Sequence, residues 1–125
     1  MTKINIHELH LGELLKDRGI KFKTQVGGLV PGRKFVVDFF VPSIPAVIEL
    51  QGGIWMKGKT DRGGAHSLPS NIERDCEKSN LLQIEGNMVY KIPTSWLKGD
   101  GYEKLKLVLD AIKFYQEATN VNSKR

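Results

Sequence analysis

Two acids sit inside runs that are otherwise apolar and strongly β-prone. Asp38 interrupts Phe35–Val41 (Phe-Val-Val-Asp-Phe-Phe-Val), and Glu49 interrupts Ala46–Gln51 (Ala-Val-Ile-Glu-Leu-Gln). An ionised carboxylate in such a run is costly unless it is paired or binds a metal. Only a short connection with Pro42 and Pro45 separates the runs, so they can lie side by side and bring both acids to one point. Two carboxylates that close repel each other, and a divalent cation relieves the repulsion. Mg²⁺, with Mn²⁺ as a substitute, takes hard oxygen ligands and keeps several waters. One such water can attack a phosphodiester while the metal offsets charge on the phosphate. The plain alternative is two unrelated, solvent-facing strand residues. Two acids in consecutive apolar strands, followed by Gly52-Gly53, favour the metal site.

The elements that must position these acids can be read from caps and periodicity. Asn5 with Glu8 three positions on is a capping-box-like start, and Gly19 is a helix stop; between them Leu11, Leu14 and Leu15 form an apolar stripe. Phe22–Val26 alternates as a strand, and the runs containing Asp38 and Glu49 follow as two more. Ser70 and Glu73 form a second capping box, opening a helix to about Glu85 with Gly86 beyond it and with Ile72, Cys76 and Leu81 or Leu82 as its buried contacts. Met88–Ile92 is a fourth strand ended by Pro93, and Tyr102 to about Ala118 is a last helix. The order helix, three strands, helix, strand, helix predicts an α/β fold with a central mixed sheet flanked by helices and an extra C-terminal helix. A single domain over residues 1–118 is expected, with 119–125 as a disordered basic tail.

Composition narrows the partners. The 125 residues carry a formal charge of +5, which favours a polyanion. With 40% hydrophobic residues and no long apolar segment, a membrane role is not expected. One cysteine, Cys76, excludes an internal disulfide and a cysteine zinc cluster and points to a reducing cytoplasm. Its place on the predicted helix suggests a core residue. His7-Glu8-Leu9-His10 lacks the spacing of a zinc-protease helix.

Asp38 followed after ten residues by Glu49-Leu50-Gln51 resembles the PD-(D/E)XK nuclease signature. Val37-Asp38-Phe39, the segment Val47 to Trp55 and the helix segment Ile72 to Asn80 are similar to small phage and bacterial endonuclease-domain proteins related to very-short-patch repair endonucleases. The likeness spans about residues 5 to 97 and implies a restriction-endonuclease-like core. It implies that Asp38 and Glu49 bind Mg²⁺ with the Leu50 carbonyl, and that metal-bound water attacks a DNA phosphodiester in line. Gln51 stands where the family has lysine; glutamine can hold a water but brings no charge.

Lys78 is the substitute cation suggested by the sequence, with Arg74 one turn earlier on the same helix face and Asp75 within reach of Lys78. The rival reading is an ion-paired, solvated helix surface. His66 suits proton transfer to the leaving oxygen, or else is an exposed loop residue. Lys57, Lys59 and Arg62, in the same Gly-rich stretch, suit contacts along a DNA backbone. Glu13 flanks the apolar stripe of the first helix and is a further candidate metal ligand, with a surface acid as its alternative. Trp55 could stack on a base, although a core or anchor role is the commoner one. The expectation is a Mg²⁺-dependent DNA endonuclease in the cytoplasm (the host's, for a phage protein), nicking or selective for branched DNA, with a homodimer as a route to two-strand cleavage. Its rival is a catalytically impaired DNA-binding protein of the same fold, which the Gln51 departure favours.

Overall fold

Helix ends are set by local hydrogen bonds that the sequence encodes. The computed structural model describes residues 5–52 and 69–123. Helix α1 (Ile6–Asp17) starts at Asn5, whose Oδ1 accepts from the amides of His7 at 2.9 Å and Glu8 at 3.1 Å. The expected reciprocal bond from Glu8 is replaced by another: its carboxylate accepts from Gln25 Nε2 at 3.1 and 3.3 Å. Gly19, at φ +74°, lets the chain turn left-handed, so that Ile20 N donates to Leu15 O and Gly19 N to Lys16 O. This closure folds Ile20 into the same core as Leu11 and Leu15.

Helix α2 (Pro69–Ile84) ends in the same way. Gly86 adopts φ +95°, Asn87 N donates to Leu82 O at 3.1 Å and Gly86 N to Gln83 O at 2.9 Å. The buried Asn87 side chain adds a second bond to the Leu82 carbonyl at 2.9 Å. The expected cap, Ser70, lies inside α2, because Pro69 already takes a first-turn position that suits its fixed φ. Helix α3 (Tyr102–Ser123) follows two short 3₁₀ turns and continues past the Ala118 end expected from its apolar period.

Four strands form one sheet in the order β1 (Lys23–Gly27), β2 (Val36–Val41), β3 (Ala46–Gln51), β4 (Met88–Pro93). The first two pairings are antiparallel and β3–β4 is parallel, so β4 needs a crossover, and that crossover contains α2. The mixed sheet with flanking helices is the architecture predicted from the element order. The first strand begins one residue later than expected, because Phe22 packs edge-on against Phe39 (centroids 5.4 Å apart). Within β1, Gln25 takes φ +49° and falls between the pairs Thr24↔Phe39 and Val26↔Val37, across from Asp38.

Strand alternation divides most of the buried residues between two faces, although Val37, two residues from Phe39, joins the smaller cluster. Phe39 and Ile48 pair across β2–β3 and join Leu11, Leu15, Leu105, Leu109 and Ile112 in the larger core, beneath α1 and α3. On the opposite face Phe40, Val47 and Val89 form a row across three strands and meet Leu82 of α2 in a smaller core. No helix among the described residues is long and apolar enough to cross a membrane.

The left-handed turn at Gly86 gives a test of how α2 is stopped. An added Cβ there meets nothing within 4 Å, so only the backbone penalty remains. Gly86→Ala should lower stability by about 1 kcal/mol, and Gly86→Asn by less, in urea denaturation. Equal stability for alanine and wild type would mean that the turn does not depend on this conformation.

Candidate active site

Two residues further along the α2-facing row, every strand changes from apolar to charged. Continuing the β2–β3 register by one step sets Asp38 opposite Glu49, and Glu49 pairs with Lys91 across β3–β4. The sheet therefore carries an apolar row, Phe40–Val47–Val89, and beside it a charged row, Asp38–Glu49–Lys91. The two acids do not simply face each other. Asp38 N donates to Glu49 Oε2 at 3.0 Å, and Leu50 N donates to Asp38 Oδ2 at 2.9 Å. Each carboxylate thus accepts from a backbone amide of the neighbouring strand, and charge-assisted bonds of this kind are the stronger sort.

Helix α2 lays a matching stripe over the two rows. Asn71, Asp75, Lys78 and Leu82 recur at helical spacing. Leu82 covers the apolar row, and the polar members cover the charged row. Lys78 Nζ donates to Glu49 Oε1 at 2.9 Å and to the Val36 carbonyl at 2.9 Å. The Lys78 and Glu49 side chains are only 19% and 12% exposed, so this pair is well shielded from solvent. Asp75 Oδ2 accepts from Lys91 Nζ at 3.2 Å. The expected Asp75–Lys78 contact is therefore absent: each has a partner on the sheet, because both lean inward rather than along the helix surface.

Several other expectations are corrected. Cys76 and Ile72 are exposed, not core, because they lie beside the inward stripe and not on it. Glu13 points outward, 68% exposed and 3.8 Å from Lys16, so it does not reach the acids. Glu8, half-buried, is the first-helix acid that leans toward the sheet, through Gln25. Arg74 is exposed and bonds Asn71 Oδ1 at 3.2 Å, while lining a surface cleft with Phe35, Asp75 and Lys78. Gln51 lies one further step along β3 and lines a second cleft with Gly52, Asn71, Asp75 and Lys91. Trp55, Lys57, Lys59, Arg62 and His66 lie outside the described residues.

Lys91 is the member of this cluster that the sequence reading passed over. Its signal was the one that exposed Asp38 and Glu49, a charge within an apolar strand. At the near edge of α2, the Arg33 guanidinium meets Glu77 at 2.9 Å and lies 4.8 Å from the centre of the Phe35 ring. That contact holds the Glu77 carboxyl below the usual carboxylate range and ties the β1–β2 connection to the helix.

Asp38 and Glu49 are the described residues that could hold a hard divalent cation. Asp38 and Glu49 approach one point between β2 and β3. The Leu50 amide donates to Asp38 Oδ2, which brings Leu50 beside the two acids. Among the described residues no cluster of three or more acids, histidines or cysteines surrounds the point. A pair of carboxylates is compatible with Mg²⁺, which keeps part of its water shell and seldom takes an all-protein cage.

No known protein family and no curated protein matches the chain. Among solved structures the chain is similar to the catalytic domain of the homing endonuclease I-Bth0305I, with a TM-score of 0.56 at 20% identity. The likeness spans 90% of this chain and 95% of that domain. The fold is therefore shared over essentially the whole of both.

The shielded Lys78–Glu49 pair can be tested without any substrate. Lys78→Met should cost about 2 kcal/mol in urea denaturation with EDTA present, since it leaves a shielded carboxylate unpaired. Glu49→Gln in the same background should recover about half of the loss. Strictly additive effects would show that the two side chains do not interact.

Proposed function

We infer that this chain is a Mg²⁺-dependent DNA endonuclease of the PD-(D/E)XK type. The observation that carries the reading is the crossed pair Asp38–Glu49 with the Lys78 ammonium held against Glu49. The fold likeness to a homing endonuclease catalytic domain supports it, as do the net positive charge and the sequence resemblance to very-short-patch-type nucleases. When bound, Mg²⁺ supplies an activated water and neutralises charge on the scissile phosphate.

The chain's own residues do the remaining work. Asp38 and Glu49 hold the cation, with the Leu50 carbonyl beside them. The crossed amide bonds fix both carboxylates before any ligand arrives, so little reorganisation is needed at reaction. Lys78 supplies the charge that Gln51 lacks and orients water or a phosphate oxygen from α2. Gln51 contributes amide hydrogen bonds without charge. Arg74 lies on the exposed flank of α2, where a phosphate backbone can reach it. His66, Lys57, Lys59 and Arg62 keep the proton-transfer and backbone-binding roles assigned from the sequence. Selectivity for branched DNA, a cytoplasmic site of action (the host's, for a phage protein) and dimerisation for two-strand cleavage belong to the same proposal.

One feature favours a second reading, a DNA-binding protein of this fold without turnover: the family's lysine position is occupied by Gln51. Supercoiled-plasmid and branched-DNA cleavage with Mg²⁺, Mn²⁺ or EDTA distinguishes the two. Metal-dependent cutting should fall by about 10³-fold or more in Asp38→Ala and Glu49→Ala. Lys78→Met should lose about 10²-fold in rate with little change in DNA affinity. DNA binding without cutting under any metal would leave the binding protein as the correct reading.

A further inference from the structure

The Asp75–Lys91 pair lies beside the carboxylates and is not used by the chemistry above. Lys91 belongs to the charged row as the direct β4 partner of Glu49, so the parallel register holds it one strand away from the acids. It differs from Lys78 in how its donors are spent. The Lys78 ammonium makes two bonds of 2.9 Å in a shielded position. Lys91 makes one longer bond of 3.2 Å to Asp75, and its side chain is 35% exposed. An ammonium has three donors, so Lys91 retains capacity for an incoming acceptor.

The surroundings suit an anion. Lys91 and Asp75 line a cleft of about 370 Å³ with Gln51, Gly52 and Asn71. The cleft begins where β3 ends, one step beyond Glu49. Gln51 brings amide donors to it, and Lys91 brings the charge. Asp75 and Asn71 also line the neighbouring cleft of Phe35, Arg74 and Lys78, so these two side chains stand between the clefts. An ion pair this exposed contributes at most about 1 kcal/mol to stability, so packing alone gives little reason for it.

Charge balance points the same way. Asp38, Glu49 and Asp75 carry three negative charges, against two positive charges on Lys78 and Lys91. A divalent cation at the carboxylates would turn the net −1 into +1, the sign that a phosphodiester needs.

We propose that Lys91 is a DNA-phosphate-binding residue, kept in place by Asp75, which receives a backbone phosphate neighbouring the scissile one in the cleft beside Gln51. The inference deepens the nuclease reading and rests on its nucleic-acid substrate. When the phosphate enters, the Lys91 ammonium turns from Asp75 to a phosphate oxygen. Asp75 acts as a positioning residue that competes with DNA for the same cation.

The test is fluorescence anisotropy of a short labelled duplex over a series of salt concentrations, with Ca²⁺ replacing Mg²⁺, beside plasmid cleavage by the same preparations. Lys91→Met should weaken binding about fivefold and reduce the slope of log K against log salt by about 0.9, the loss of one phosphate contact. Lys91→Arg should retain the wild-type slope, and Asp75→Asn should bind about threefold more tightly. All three variants should melt close to wild type, because the pair is exposed. An unchanged slope in Lys91→Met, with wild type binding and cutting, overturns this inference and leaves the nuclease reading standing. A reduced slope in a protein that binds but never cuts upholds Lys91 and defeats the nuclease reading. A wild type that binds no DNA defeats both.

Discussion

The carboxylates of Asp38 and Glu49 reach across the β2–β3 seam, and each accepts an amide proton from the other's strand. Like charges so placed would repel in a poorly solvated gap unless something of opposite sign were near. The fold answers in two ways. Backbone amides stabilise one oxygen of each acid, and the Lys78 ammonium neutralises Glu49 from above. Lys78 also donates to the Val36 carbonyl, so α2 is tied to both β2 and β3 at this seam. The backbone ladder gives way to side-chain bonds at the point where charge begins.

That arrangement separates apolar packing from the charged cluster within one sheet. The larger core under α1 and α3 is built of apolar side chains, with the buried Gln116 amide bonded to Gly19 O and Lys21 N at its edge, and it holds the sheet from one side. The α2 side is graded, with Leu82, Val47, Val89 and Phe40 at one end and the ionic cluster at the other. The helix is anchored by its C-terminal half and presents its N-terminal half to the clefts. The left-handed turn at Gly86 therefore matters for the site although it lies far from it along α2. It fixes how the apolar half docks, and the polar half is carried along on the same rigid element.

Much of this was legible in the sequence, because a charge inside an apolar strand has few inexpensive explanations. Asp38 and Glu49 declared themselves in that way, and the caps at Asn5, Gly19 and Gly86 marked the helix ends. Apolar residues alone do not mark the inward face of α2. Ile72 and Cys76 suggested one face, whereas the face is set by Leu82, and counting back from it at helical spacing reaches Lys78, Asp75 and Asn71. The partners of Asp75 and Lys78 were not legible, since they depend on a parallel register joining β3 to β4, which no local pattern encodes. Lys91 stood in an apolar strand like the acids, but its meaning required knowing which strand lies beside Glu49.

The left-handed Gln25 in β1 bears on how the molecule meets others of its kind. β1 is an outer strand, and an outer strand with a regular backbone offers its unpaired amides and carbonyls to any passing extended segment. A residue at φ +49° in mid-strand turns those groups out of line, while its side chain is fastened to Glu8 of α1. Sheet extension through this edge is thereby discouraged. An extended segment laid along β1 therefore finds no continuous run of aligned amides and carbonyls.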